Sequence, residues 1–248
     1  MIARRISSWR AFTIVELIVV VAVTAILCVL LFPVAVKSVR QAKKTGSLQN
    51  LKNFVQADML YLADKGEFPP MDTIVPSTMS RNRLAIVAEY LNLEIPNGPV
   101  TSWPRRKQQP RWINDPIARD SGFAEGMTVG GGVYNGYIYV GRIDESTMVQ
   151  SGMATLTNPD RAADKKNLRR GVLWATILGE FQTSDPRRFE CFHYNTVFSY
   201  PDFRFKREEV EGQFRGWSDG SAEWVPGKQI KFGGSDIQVQ HFLGNFYY

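Results

Sequence analysis

One apolar stretch near the N-terminus constrains this chain more than any other feature. Residues 10–33 read RAFTIVELIVVVAVTAILCVLLFP, and Glu16 is the only charged side chain between Arg10 and Lys37. A run of about 20 apolar residues is long enough to cross a bilayer as a helix. A charged side chain at the centre of such a helix costs about 2.5–3.5 kcal/mol on insertion scales. Either the stretch lies outside a membrane, or Glu16 has a partner that offsets this cost.

The rest of the chain has the composition of a globular protein. Of the 248 residues of the full chain, 44% are hydrophobic and 22% are charged, which is ordinary for soluble proteins. The length is sufficient for one large domain or two small ones with a buried core. No second apolar segment of spanning length follows, since GVLWATILG at 171–179 is short and predicts a buried strand. The sequence therefore indicates one spanning segment and a globular head.

Net charge and cysteine content exclude several classes of function. The net charge is +6, but Arg4, Arg5 and Arg10 supply three of these charges before the apolar stretch begins. The remaining excess is too small to predict nucleic-acid binding. Cys28 and Cys191 are the only cysteines, and no spacing typical of a metal site is present. Since Cys28 lies inside the apolar stretch, we expect no intrachain disulfide.

Three kinds of N-terminal signal compete for residues 1–36. A cleaved secretory signal would have its apolar region interrupted by Glu16, and no small-x-small cleavage site precedes Lys37. A plain signal anchor fits the length of the stretch but leaves Glu16 unexplained. The third kind depends on the residues around the end of the basic leader MIARRISSWRA.

That leader ends at Ala11 and is followed by Phe12; counted from Phe12, Glu16 is fifth and Pro33 is twenty-second. This arrangement resembles the class III signal of type IV pilins and of the pseudopilins of type II secretion systems. The resemblance implies cleavage by a prepilin peptidase between Ala11 and Phe12, N-methylation of Phe12, and assembly through the helix that contains Glu16 and Pro33. The family usually has Gly before the Phe, and this chain has the small residue Ala11.

The resemblance also gives Glu16 a role. In the family, this carboxylate pairs with the N-terminal amine of a neighbouring subunit in the assembled filament. A buried charge with an opposite, hydrogen-bonded partner is tolerated, whereas an unpaired one is strongly destabilising. Glu16 would then fix the axial register of the subunits. The remaining explanation is a glutamate at the helix end that has no partner.

A second helical pattern follows Pro33. Its apolar residues step by three and four positions and predict one face of an amphipathic helix: Leu48, Leu51, Val55, Met59 and Leu62. We expect one long interrupted helix from about Thr13 to Asp64, ended by Lys65-Gly66, with Gly46 as a weak point of about 1 kcal/mol relative to Ala. The basic residues before this face are expected to meet water or lipid headgroups: Lys37, Arg40, Lys43 and Lys44.

Two further segments carry a resemblance. Residues 50–70, NLKNFVQADMLYLADKGEFPP, resemble the segment after the anchor in pilin-like proteins of planctomycetes, verrucomicrobia and lentisphaerae. SDGSAEWVP, which contains Asp219-Gly220, resembles the second half of a motif near the end of such proteins. In the family a His precedes Asp-Gly by nine residues, whereas 25 residues separate His193 from Asp219 here. The match at His193 is therefore weaker.

The head, residues 67–248, is predicted to be an α+β domain with a pilin-like architecture. A short helix is expected at 83–93 and an irregular loop at 94–120. Strands are expected at 132–143, 171–180, 191–200 and 212–226, with turns at Asn135-Gly136 and Asp219-Gly220. The long N-terminal helix would cover one face of the resulting antiparallel sheet.

No combination of residues predicts catalysis. His193 and His241 are the only histidines, and the glycine-rich stretch VGGGVYNGY matches no phosphate-binding motif. We expect no enzyme activity and no cofactor. Asp219 and Glu223 are weak candidates for a calcium site, although an aspartate in a turn more often has a conformational role.

These observations predict four segments: a leader at 1–11, a transmembrane and assembly helix at 12–36, an amphipathic helix at 37–66 and a head at 67–248. The expected function is that of a pilin-like or pseudopilin-like subunit in the inner membrane, with its head in the periplasm or at the cell surface. Its partners would be the prepilin peptidase, other subunits, the inner-membrane assembly platform and the lipid bilayer. The alternative is a membrane-anchored binding protein that does not polymerise.

The residue before the cleavage site provides a test of the leader. We expect Ala11→Gly to be processed at least as well as the wild type, because the peptidase pocket implied by the family admits only a small side chain. The bulkier Ala11→Leu should remain as the uncleaved precursor. Immunoblotting of pulse-labelled membranes distinguishes the two forms, and normal maturation of Ala11→Leu would exclude a class III signal.

Overall fold

The structure, a computed structural model, describes residues 13–72, 78–104, 108–116, 128–129, 132–133, 135–157, 162–164, 170–181, 189–191, 210–231, 238–241 and 244–247. The chain divides into two compact units, Met1–Lys43 and Lys44–Tyr248. One helix, α1, runs from Ile14 to Lys65 and contributes to both. The architecture is α+β, with a long N-terminal helix and antiparallel sheets.

The first unit contains the apolar part of α1. Its large apolar side chains are exposed throughout, from Ile14 at 77% to Val39 at 58%. Pro33 lies inside the helix, which continues on both sides of it. The segment Ile14–Val36 would extend about 34 Å at 1.5 Å per residue, close to the roughly 30 Å of a bilayer's hydrocarbon core. Among the described residues, α1 is the one helix long and apolar enough to cross a membrane.

In the second unit, α1 packs by one face against the head. The predicted apolar face is confirmed, since Leu51 and Val55 are fully buried and Leu48, Met59 and Leu62 are partly buried. Phe54 is also fully buried on this face, against Trp174 with ring centroids 4.6 Å apart. Gly46 is a site of close approach, because a Cβ there would lie 3.1 Å from Cγ of Pro116.

The helix ends as its sequence predicts. Gly66 adopts φ +78° and its N–H donates to the carbonyl of Leu62 at 2.8 Å, which closes the last turn. The next residues are held by buried donors of the head. Arg142 donates to the Phe68 carbonyl at 2.8 Å, and the Tyr139 hydroxyl donates to the Pro69 carbonyl at 2.6 Å.

The described residues of the head form three antiparallel sheets. The first has the order β1 (Met79–Ser80), β3 (Gly132–Val133), β2 (Thr128–Val129). The second has the order β10 (Ala222–Pro226), β9 (Gly212–Trp217), β6 (Val172–Thr176), β4 (Tyr137–Tyr139). The third has the order β5 (Ala154–Thr157), β11 (Gln238–His241), β12 (Gly244–Tyr247), β7 (Leu178–Phe181), β8 (Phe189–Cys191).

The described residues also include two short α-helices, α2 (Arg81–Leu91) and α3 (Thr147–Gln150), and three single-turn 3-10 helices, Val100–Ser102, Ile143–Glu145 and Gly227–Gln229. The helix predicted at 83–93 is confirmed with a slightly earlier start. Ser80 caps α2 by accepting a hydrogen bond from the Arg83 N–H at 2.9 Å. Leu84, Val87 and Ala88 are buried on its inner face.

Two strand predictions are corrected. The expected hairpin at Asn135-Gly136 is wrong, because β3 pairs with β1 and β2 whereas β4 pairs with β6. The Asn135 side chain instead donates to the Ile113 carbonyl at 2.8 Å and accepts from the Tyr137 N–H. Residues 171–180 form two strands, β6 and β7, which belong to different sheets. Of the strand predicted at 191–200, all but Cys191 lies outside the described residues.

The irregular segment predicted at 94–120 is packed where the structure describes it. Asn50 of α1 donates to the carbonyls of Arg111 and Asn114, and Trp112 packs edge-on against Phe54. Ser47 donates to the Asp115 carboxylate within the buried interior. This segment therefore forms part of the surface that holds α1.

Gly216 sets how closely α1 approaches the four-stranded sheet. A Cβ at Gly216 would lie 2.4 Å from Cγ2 of Val55. We expect Gly216→Ala to destabilise the full-length protein by about 1–3 kcal/mol, the usual cost of overpacking. Urea unfolding in detergent micelles measures the change.

Val55→Ala provides the matched control, because it removes the methyl group that the new Cβ would meet. The double variant should be less destabilised than the sum of the single variants. Strict additivity would show that the two residues are not in contact.

Candidate functional site

The first turn of α1 forms a reciprocal hydrogen-bonded cap. Thr13 precedes the helix and its side-chain oxygen accepts from the Glu16 N–H at 3.2 Å. Glu16 reaches back, and its Oε2 accepts from the Thr13 N–H and from the Thr13 hydroxyl, each at 2.9 Å. This arrangement is a capping box, in which two N–H groups left open at a helix start are satisfied by side chains.

The cap bears on the free-energy cost of a charged Glu16 side chain in the apolar segment. Glu16 is the third residue of α1 and lies at the end of the apolar segment, not at its centre. A negative charge there is also favoured by the helix dipole. Glu16 has a partner within its own chain, so the explanation of a glutamate without any partner does not hold. Both Thr13 donors use Oε2, and Oε1 has no partner among the residues that the structure describes.

The other residues of the predicted processing site are not described. Ala11 and Phe12 lie outside the described residues, so cleavage between them and methylation of Phe12 remain predictions. Pro33 lies within α1, seventeen positions after Glu16.

A buried ion pair joins α1 to the head. Asp58 of α1 and Arg83 of α2 are in direct contact, and both side chains are essentially inaccessible to water. Trp174 of β6 donates its indole N–H to the second carboxylate oxygen of Asp58 at 2.6 Å. The Arg83 guanidinium lies over the Tyr139 ring, 3.7 Å from its centroid. The cluster of Asp58, Arg83 and Trp174 thus ties three elements together.

Burial dominates the electrostatics of this cluster. It raises the pKa of Asp58 to about 6, although the Arg83 charge and the hydrogen bonds from Trp174 and Arg83 act in the opposite direction. Burial likewise raises the pKa of Tyr139. The Nε and Nη1 atoms of Arg83 are buried without a hydrogen-bond partner within the described part of the chain. All three side chains are buried away from water, so the cluster acts as a structural clamp.

The predicted turn at Asp219-Gly220 is confirmed and joins β9 to β10. Gly220 adopts φ +88°, and Asp219 accepts hydrogen bonds from the Ser221 N–H and hydroxyl at 2.9 and 2.6 Å. Arg170 contacts both weak calcium candidates, with Nε 2.7 Å from Asp219 and Nη2 3.2 Å from Glu223. The two carboxylates therefore face a guanidinium.

The Arg170 contact also affects the titration of the turn. Partial burial acts to raise the pKa of Asp219, but hydrogen bonds from Ser221 and the Arg170 charge outweigh it and hold that pKa below its usual range. Within the described residues, no group of three or more His, Cys, Asp or Glu side chains is placed to hold a metal. His193 lies outside the described residues, and His241 lies in β11.

Lys44 differs from the expectation that it meets water or lipid headgroups. Its Nζ lies 3.2 Å from Oε2 of Glu211 and 5.1 Å from the ring centroid of Trp224. Its side chain is 24% exposed. Lys44 therefore docks on the head, because two partners distant in sequence meet at its position.

Comparisons with known proteins leave the family undecided. No family model, no curated protein and no solved structure matches this chain.

Sequence reasoning missed two of these arrangements. The capping box is visible in the sequence as Thr13-x-x-Glu16, a signature of helix starts. Asp58 is a carboxylate on the apolar face of a helix, three residues after Val55, and that position alone signals a buried partner. Nothing local to Arg83 identifies it as that partner, because the contact joins residues 25 positions apart.

Removal of Arg83 tests the clamp. In Arg83→Met the pKa of Asp58 should rise further, because the cation that opposes the effect of burial is lost. A carboxyl with a folded-state pKa above its unfolded value of 3.8 favours the folded state at low pH and loses that contribution as the pH rises through the folded pKa. We therefore expect the free energy of unfolding of Arg83→Met to fall between about pH 4 and pH 8, with a loss of roughly 3–5 kcal/mol at the upper end.

The control is the double variant Asp58→Asn with Arg83→Met, which buries no charge. It should be more stable than Arg83→Met at pH 8 and should lack the added pH dependence. Equal pH profiles for the two variants would show that Asp58 does not titrate with a raised pKa when Arg83 is removed.

Proposed function

We propose that this chain is a pilin-like or pseudopilin-like subunit. It would be inserted in the inner membrane through the apolar part of α1, cleaved by a prepilin peptidase between Ala11 and Phe12, and methylated at Phe12. Its head would then face the periplasm or the cell surface. Assembly of the helices of many subunits into a filament or a secretion pseudopilus would follow on an inner-membrane platform.

The observation that carries this proposal is the first half of α1. Its apolar side chains are exposed from Ile14 onward, and its first turn presents a carboxylate. A helix that is apolar all round requires a lipid or protein environment. In the proposed route, the bilayer surrounds the helix first, and neighbouring subunits surround it once the filament forms.

The cap at Thr13 is compatible with processing. The Thr13 N–H that donates to Glu16 belongs to the peptide bond between Phe12 and Thr13. That peptide bond would remain intact after cleavage before Phe12. Glu16 would therefore keep its local partner in the mature subunit. A single subunit in the bilayer would carry a glutamate that is already stabilised at the membrane boundary.

Assembly would use the oxygen that the cap leaves open. Both hydrogen bonds from Thr13 go to Oε2, so Oε1 is available to the cationic N-terminal amine of a neighbouring Phe12. Such an amine carries a positive charge near neutral pH. Glu16 would then serve twice, as the cap of its own helix and as the counter-charge of the next subunit.

One observation favours the second candidate, a membrane-anchored binding protein that does not polymerise. The capping box by itself accounts for a glutamate at position 16, since its hydrogen bonds require no other subunit. The two candidates therefore differ in whether the charge of Glu16 is needed in addition to its hydrogen bonds.

Two substitutions at Glu16 separate the charge from the cap. Glu16→Gln keeps an oxygen that can cap Thr13, because Gln also occurs in capping boxes, but it removes the charge. Glu16→Val removes both. If subunits assemble through the Phe12 amine, both variants should insert and be cleaved, yet give little filament or secreted product. An unpaired buried charge costs about 3–5 kcal/mol, more than a hundredfold in affinity.

Thr13→Val is the matched control, because it removes the threonine oxygen of the cap and leaves the charge. We expect it to keep most of the assembly yield. Sheared-filament or secretion yield is compared with membrane-fraction abundance for all three variants. Normal yield from Glu16→Gln would favour the anchored binding protein and contradict assembly through Glu16.

A further inference from the structure

The capping box fixes where α1 begins. The Thr13 carbonyl accepts a hydrogen bond from the Leu17 N–H at 3.2 Å, although Thr13 itself precedes the helix. The Glu16 N–H donates to the Thr13 side chain, and the Thr13 N–H donates to the Glu16 carboxylate. Because these N–H groups already have acceptors, the chain gains less by extending the helix upstream. The helix therefore begins at Ile14, two residues after Phe12.

The sequence before Thr13 contains no residue of the kinds that break helices. Residues 1–12, MIARRISSWRAF, include neither glycine nor proline. Ser8 is of the type that caps helix starts, so a helix that did not end at Thr13 would be free to extend upstream as far as Ser8. Such a helix would enclose the peptide bond between Ala11 and Phe12.

Ala11 strengthens the tendency toward helix at this bond. The pilin family usually has glycine before the Phe, whereas this chain has alanine. Alanine favours a helix over glycine by about fivefold per residue. The difference lies directly at the bond that the proposed cleavage breaks. In this chain the cap at Thr13 is therefore what opposes helix formation across that bond.

The backbone conformation at a peptide bond decides how readily a protease cleaves it. Proteolysis acts on the locally opened form, and its rate follows the population of that form when opening is fast relative to cleavage. Opening a helical turn beside a membrane is costly, because the freed backbone groups find little water there. A helix that ends before the bond avoids this cost. The position of the helix start therefore affects the rate of cleavage.

We propose that the capping box of Thr13 and Glu16 positions the bond between Ala11 and Phe12 for the prepilin peptidase. By ending α1 at Thr13, it presents that bond to the enzyme as extended backbone. This rests on the proposed function, because it requires cleavage at that bond, but it does not require assembly. Thr13 and Glu16 act through the backbone conformation and are positioning residues. Glu16 thus acts on the precursor, before any role in assembly.

The experiment measures the initial rate of cleavage of the full-length precursor. Purified prepilin peptidase is added at limiting concentration to the precursor in detergent micelles, and the N-terminal peptides are quantified by mass spectrometry. Thr13→Val keeps the side-chain shape but removes the capping oxygen, and we expect its rate to fall about two- to fivefold. Thr13→Ser restores a capping oxygen and should be cleaved at the wild-type rate. Every variant should reach complete cleavage on long incubation, because only the rate is affected.

Thr24→Val is the matched control, because it makes the same change within the same helix and away from the cap. The Thr24 hydroxyl donates to the carbonyls of Val20 and Val21, and its loss should leave the cleavage rate unchanged. Ala11→Gly then tests how the cap acts. Glycine at that position opposes a helix by itself, so Thr13→Val should lower the rate less in the Ala11→Gly background than in the wild type.

Two results would overturn this proposal and leave the proposed function standing. A wild-type rate for Thr13→Val would show that the cap has no part in cleavage. An equal fold loss from Thr13→Val in both backgrounds would show that the peptidase contacts the Thr13 side chain directly. A wild-type precursor that is not cleaved between Ala11 and Phe12 would reject the proposed function itself, and this proposal with it.

Discussion

The exposed apolar surface of α1 between Ile14 and Val36 is the constraint on which the rest of the account depends. Burial of a large apolar side chain stabilises by about 1.5–3 kcal/mol. In water, the exposed side chains of this segment therefore lack on the order of 20 kcal/mol of stabilisation that burial would give. That exceeds the roughly 5–15 kcal/mol that stabilises a typical folded domain. Lipid or other helices would remove this surface from water. In the proposed membrane-inserted or assembled state, the polar residues at its two ends, Glu16 and Lys37, would lie where that environment meets water.

The second half of α1 packs on the head, and its contacts hold the helix there in one register. Apolar contacts such as that between Val55 and Gly216 permit sliding at modest cost, whereas the buried pair of Asp58 and Arg83 has one position in which both charges are satisfied. Trp174 reinforces that position by donating to the same carboxylate. A force applied along this part of α1 would be passed to the head through these contacts.

Local chemistry predicted the parts of the fold that depend on neighbouring residues. The helix end at Gly66 and the turn at Gly220 follow from a residue that tolerates positive φ, and both are confirmed. The turn expected at Asn135-Gly136 failed because the Asn135 side chain binds a segment more than 20 residues away. The burial of Arg83 was equally beyond prediction, since its partners come from other elements of the fold. The pilin-like resemblance rests in part on Ala11 and Phe12, which lie outside the described residues, and in part on the segments around Glu16, at 50–70 and at Asp219-Gly220, which the structure describes.

The identity of the mature N-terminus tests the central claim most directly. The chain is extracted from membranes without prior tagging of its N-terminus, and its N-terminal peptide is sequenced by mass spectrometry. The account predicts a peptide that begins with N-methylated Phe12 and continues Thr-Ile-Val-Glu. A peptide that begins at Met1, or cleavage on the head side of the apolar segment, would contradict assembly of α1 as a processed pilin-like helix.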